Sequence, residues 1–117
     1  MGISETILSD KAPHSLITNY QLLQSIVAQI LNSLPLQQLG YVPDIEIAGY
    51  DKNKNAIGYV AFRHIKDPLL NIYLLFFIKG GVFDNFSSLI FNEEIYPFST
   101  VKLIEILEVI GAKSGMK

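Results

Sequence analysis

Hydrophobic and polar residues follow their clearest pattern between Asp44 and Gly81. Ile45 and Ile47 point one way and Glu46 and Ala48 the other, the period of two expected of a half-buried strand. The polar run Asp51, Lys52, Asn53, Lys54 and Asn55 predicts a hairpin loop. A second strand is expected from Ala56 to Ile65, rich in residues that suit a pleated surface (Ile57, Tyr59, Val60, Phe62). Gly58 leaves a gap in it for an aromatic or a bulge, and the register brings Asp44 near Arg63. Asp67 and Pro68 form the next turn, and a third strand follows from Leu69 to Ile78. Leu70, Ile72, Leu74, Phe76 and Ile78 lie on one side of that strand, with Leu69, Tyr73, Leu75 and Phe77 on the other. Both faces are apolar, so the second must be covered by more of the chain or by a partner.

The flanking segments read as helical. Leu16, Tyr20, Leu23, Val27, Ile30 and Leu34 recur at steps of three and four, predicting a helix from Ser15 or Thr18 to about Ser33 that Pro35 stops. Thr18 and Gln21 fit a capping box. The outer side of this helix carries Gln21, Gln24, Ala28 and Asn32, and nothing between Lys11 and Asp44 is charged. Short uncharged polar groups of this kind let another protein surface approach at a small desolvation cost. After the third strand, Asp84 is expected to cap a short helix through Phe91, with Phe83, Phe86, Leu89 and Ile90 as its apolar contacts. Asn92, Glu93 and Glu94 then turn the chain into a brief extended segment at Ile95 and Tyr96. A last helix begins at the cap Ser99, with Phe98 stapled on Leu103, buries Leu103, Ile106, Leu107 and Ile110, and ends at Gly111. The expected fold is α+β: a flexible arm over residues 1–14, then one domain over 15–113 with an antiparallel meander of three or more strands packed against an N-terminal and a C-terminal helix.

Composition sharpens the question of what covers the second face. Half of the residues are hydrophobic and only 17% are charged, against about 25% in ordinary domains. A small domain has much surface to solvate, so a covering protein partner or a homo-oligomer, a homodimer above all, is expected. The net charge of −2 and the scattered Lys and Arg residues argue against nucleic acid. The absence of cysteine removes thiolate chemistry and disulfides. No secretory leader or apolar run of the roughly 20 residues a membrane span needs is present, which makes a cytoplasmic protein the expectation.

Candidate chemistry is sparse, and no catalytic, cofactor-binding or metal-binding residue is assigned. His14 and His64 are the two histidines and show no ligand spacing. Ser87, Ser88, Ser99 and Ser114 have no base nearby, and Glu93, Glu94, Glu105 and Glu108 read as solubilising charges. Gly80 and Gly81 follow a strand, where backbone amides can cradle a phosphate, but a double glycine reads first as a turn. Phe83, Phe86, Phe91, Tyr96 and Phe98 form either a core or an apolar pocket.

A hairpin entering a long apolar strand, then glycine and a helix, resembles the middle of the GNAT acetyltransferase fold over residues 45–92, with Ile57 to Phe62 similar to its second hairpin strand. The resemblance implies acyl-CoA binding, with Gly80 and Gly81 at the phosphate. The family's pyrophosphate pattern, Gln or Arg followed by spaced glycines, is not supplied by Lys79, Gly80, Gly81, Val82, Phe83 and Asp84. The expected function is therefore a non-enzymatic, self-associating protein-interaction module, an adaptor, regulatory subunit or small inhibitor. Its contact residues are Gln21, Gln24, Ala28, Asn32, Tyr73, Leu75 and Phe77. The alternative is a degenerate acyl-CoA binder or small acyltransferase.

Overall fold

The computed structural model describes residues 17–113. The expected arm over 1–14, with His14 and Ser15, lies outside the described residues. Helix α1 (Tyr20–Ser33) leads into five strands, β1 (Tyr41–Ala48), β2 (Ala56–His64), β3 (Ile72–Lys79), β4 (Val82–Phe91) and β5 (Glu94–Pro97), and helix α2 (Thr100–Lys113) follows. The strands form one sheet in the order β1-β2-β3-β4-β5, every neighbour antiparallel. The architecture is the expected α+β meander of three or more strands; β5 takes in the extended segment expected at Ile95 and Tyr96, and β4 stands where a short helix was expected.

One side of the sheet carries the core. Ile47, Val60, Phe62, Ile72, Leu74, Phe76, Ile78, Phe83 and Leu89 are buried together with Leu23 and Val27 of α1 and Leu103, Ile106, Leu107 and Ile110 of α2. Both helices therefore pack on the same face. Burying a single aliphatic or aromatic side chain of this kind contributes roughly 1.5–3 kcal/mol. The paired positions Gly58 and Phe76 show how the layer closes. The ring of Phe76 lies over Gly58, where an added methyl would stand 2.5 Å from Phe76 Cε1 and 2.9 Å from the Glu46 carbonyl oxygen. The gap at Gly58 is thus filled by an aromatic, and it comes from β3.

Residues 82–91 correct the sequence reading: they form β4, not a helix capped by Asp84. Phe83, Phe86 and Leu89 share the core face, opposite Ile78, Phe76 and Leu74. The register shifts between Leu75 and Phe76 and again between Phe76 and Ile78. Each irregularity inserts a residue into β4 and resets its alternation, so inward positions fall every third residue and imitate a helical period.

Smaller corrections concern element ends. The N-cap of α1 is Asn19, without a side-chain cap bond, so the Thr18–Gln21 capping box does not form. Strand β1 begins at Tyr41, earlier than expected, while β3 begins at Ile72 because Pro68–Leu70 make a 3-10 turn capped by Asp67. Helix α2 runs through Gly111 to Lys113. Ser99 caps α2 as expected, its Oγ accepting from the Lys102 N–H at 3.0 Å.

Side-chain amides lock the turns to one another. The Asn19 side chain both donates to the Phe83 carbonyl and accepts from the Phe83 N–H, each at 2.8 Å, so it pairs with β4 as a strand would. Beside it the Thr18 N–H donates to the Gly81 carbonyl at 2.7 Å. Asp51 Oδ1 accepts from the N–H groups of Asn53 and Asn55, each at 2.9 Å, and shapes the β1–β2 loop. Asn92 and Glu93, both at positive φ, make the β4–β5 turn, the geometry of a two-residue hairpin loop that matches strand twist.

Candidate partner interface

The second face of the sheet is built from the alternate residues of the same strands. β1 contributes Val42, Asp44, Glu46 and Ala48, β2 Ile57, Tyr59, Ala61 and Arg63, and β3 Tyr73, Leu75 and Phe77. β3 ends with Lys79 on this face, β4 adds Val82, Asp84, Ser88 and Ile90, and β5 adds Ile95 and Pro97. An antiparallel sheet packed on one side ordinarily turns polar residues outward. Here Ile57 is 51% exposed, Phe77 42% and Ile95 70%. Cross-strand pairing joins Ile57 to Phe77, Tyr59 to Leu75, Tyr73 to Ile90 and Ile90 to Ile95, so the apolar side chains form one continuous belt from β2 to β5. At the β1–β2 hairpin end the face dips into an apolar depression of ≈ 450 Å³ lined by Ala48, Ala56, Ile57, Phe77 and Lys79 among others.

Asp44, Glu46, Tyr59 and Arg63 cluster in the β1–β2 corner of this face. Arg63 lies 3.6 Å from both Asp44 and Glu46. Tyr59 donates its hydroxyl to Glu46 Oε1 at 3.1 Å, and burial followed by that bond raises its phenol above the usual range. Tyr59 and Tyr73 meet edge to face with ring centres 5.7 Å apart. Tyr and Arg are among the side chains that most often carry binding energy in protein interfaces, since they add contact area and directed hydrogen bonds. The Asp44–Arg63 pair expected from the sequence is present, with Glu46 as a second acid on the same guanidinium.

The two edges of the sheet are each interrupted by a proline. In β1, Ile65 N–H donates to the Gly40 carbonyl at 2.9 Å, which sets the ladder so that Val42, Asp44 and Glu46 bond inward to β2. Pro43 then occupies an outward position, and the outward N–H of Tyr41 is taken by the Leu36 carbonyl at 2.9 Å. In β5, Phe98 N–H donates to the Ser87 carbonyl at 3.2 Å, which leaves Pro97 outward. A proline there has no N–H to offer an added strand.

Of the contact residues predicted from sequence, Tyr73, Leu75 and Phe77 come together on the open face. Gln21, Gln24, Ala28 and Asn32 are exposed on α1, on the other side of the sheet. Gln24 and Ala28 line a shallow groove against Pro43, Asp44 and Ile45 of β1. The two sets belong to separate surfaces. Ile57, Tyr59, Ile90 and Ile95 join the open face although the sequence reading did not single them out as contacts. Counting the β2 register back from its hairpin loop reveals Ile57 and Tyr59, whereas Ile90 is hidden by the bulges of β4.

The other candidates resolve into structural roles. Gly80 and Gly81, both at positive φ, turn β3 into β4. Their amides are engaged, Gly80 N–H with Asn55 Oδ1 at 3.0 Å and Gly81 N–H with the Lys54 carbonyl at 2.6 Å. His64 Nδ1 accepts from the N–H groups of Lys66 and Asp67 at 3.2 and 3.1 Å, and its ring stands edge-on to Tyr41. Phe83 and Phe86 are buried and pack edge to face on Phe76, with Phe98 against Phe86, which places them in the core. Among the described residues no three His, Asp or Glu side chains converge to hold a metal, and no helix is long and apolar enough to cross a membrane. Comparison with known protein families, curated proteins and solved structures finds no match to this chain.

Proposed function

We propose that this chain is a non-enzymatic protein-interaction module, an adaptor or regulatory subunit, whose contact surface is the open face of its sheet. The observation that carries this reading is the placement of both helices on one side, which leaves Ile57, Phe77 and Ile95 of the other side in solvent. A contiguous apolar sheet face is costly to expose and favours whatever protein surface covers it. The arrangement of apolar side chains across the middle strands, with Asp44, Glu46 and Arg63 in one corner, matches the hydrophobic centre and charged margin of protein interfaces. The helix residues Gln21, Gln24, Ala28 and Asn32 form a separate, more polar surface that this reading does not require.

An environment-sensitive apolar dye tests the proposal on dilute native protein. Binding is expected, and Ile57→Asp and Phe77→Asp should abolish it while Phe98→Leu, partly buried on the helix side of the sheet, should not. Native protein that binds no dye, or binds it equally in all three variants, refutes the reading.

A further inference from the structure

We infer that the surface covering the open face is a second copy of this chain, packed sheet against sheet with the helices outermost. The inference rests on the reading of that face as the contact surface. Outward prolines at both edges, Pro43 and Pro97, interrupt the ladder that a shared strand would need and so disfavour growth of the sheet, which leaves a face as the better route to association. The geometry of the face then specifies its complement. Its apolar belt runs from β2 to β5, and a surface with the matching strand spacing and composition is the face itself; stacked sheets settle about 10 Å apart with inner side chains interdigitated. The apolar depression beside Ile57 and Phe77 offers room for a protruding side chain of the other copy.

Size and charge agree. Five strands about 4.8 Å apart, most of them about eight residues long at about 3.3 Å per residue, give about 500 Å² of plane per copy once the short β5 is allowed for. Two copies therefore bury about 1,000 Å², the lower bound for a specific interface. The formal charges on the face are Asp44, Glu46 and Asp84 against Arg63 and Lys79, a net of −1 per copy. The residual charge is small, and Asp44, Glu46 and Arg63, gathered in the β1–β2 corner, remain at the rim where water still reaches them.

Sedimentation equilibrium of the 117-residue chain over a dilution series tests this. A dimer that dissociates on dilution is expected. Ile57→Arg and Phe77→Arg should each weaken it by at least about 100-fold, because a symmetric pair then buries two unpaired cations. Gln21→Arg on α1 should leave it unchanged, and circular dichroism confirms that each variant is folded. A monomer at every concentration, or a dimer indifferent to Ile57→Arg and Phe77→Arg, overturns the inference. If such a monomer still binds dye through Phe77, the face serves a different protein and the proposed function survives; if the dye also ignores Phe77, both fall. A face that becomes accessible to dye only when residues 1–16 are removed identifies the chain's own N-terminal segment as the covering surface, and likewise overturns the second copy.

Discussion

Substituting Gly58 by alanine tests how the core face is closed. The new methyl would stand 2.5 Å from Phe76 Cε1 and 2.9 Å from the backbone oxygen of Glu46. Neither neighbour can move freely. The Phe76 ring is fully buried and held between Phe83 and Phe86, with ring centres 5.2 and 6.1 Å away. The Glu46 carbonyl belongs to the adjoining strand. Overpacking a core typically costs about 1–3 kcal/mol, and two hard contacts place Gly58→Ala at the upper end. The reduced freedom of the unfolded alanine chain returns about 0.4–1 kcal/mol, so a net loss of about 2 kcal/mol is expected. Phe76→Leu alone should cost about 1–2 kcal/mol through lost ring contacts. Together the two should fall short of the sum by about 1 kcal/mol, since the smaller side chain vacates the space the methyl enters while the Glu46 contact stays. Urea denaturation followed by circular dichroism measures all four corners of the cycle. A Gly58→Ala variant as stable as wild type, or strictly additive losses, would show that Phe76 does not lie over Gly58.

Two further perturbations address the locks around the sheet. Asn19→Ala removes both bonds to the Phe83 backbone and leaves a partly buried N–H and carbonyl unpaired, which should destabilise the fold by about 2 kcal/mol in thermal or urea melts; a loss below about 0.5 kcal/mol would contradict the strand-like pairing. Burial, and secondarily the nearby Asp67 charge, push the Tyr41 phenol from 10.0 up to about 12. Its folded value lies above its unfolded one, so its contribution to stability is complete below pH ~10 and is lost as the pH climbs toward ~12. A tyrosinate absorbance titration should show a late step that Tyr41→Phe removes, and a titration unchanged by that substitution would refute it.

Much of this fold was legible because local pattern and tertiary role agreed. The strict alternation of Ile45 to Ala48 and the polar loop from Asp51 to Asn55 follow from one face meeting core and one meeting water. The two-sided apolar β3 announced an uncovered surface, and the structure leaves that surface open at Phe77. Agreement failed where tertiary contacts override local signals. The spacing of Phe83, Phe86 and Leu89 is helical on paper, yet it arises from strand irregularities set by pairing with β3. Thr18 and Gln21 spell a capping box, but Asn19 is drawn to Phe83, which is distant in sequence. Gly111 is a common helix terminator, and α2 continues past it. The interface residues divided in the same way. β3 residues could be read from alternation, whereas Ile90 and Ile95 reach the open face through a register that only the folded sheet defines.

The central claim is that the open face of the sheet is a contact surface left uncovered by the single chain and covered by its twin. The chain has no cysteine, so one introduced thiol reports cleanly. Ser88 lies on the open face between Leu75 and Pro97, and Ser88→Cys changes little more than an oxygen for a sulfur. Its labelling rate by a thiol reagent should be fast in dilute protein and fall at least about tenfold as concentration rises and the faces meet, while Ser25→Cys on the exposed side of α1 should label at one rate throughout. A Ser88→Cys thiol that labels at the same rate at every concentration would contradict the claim.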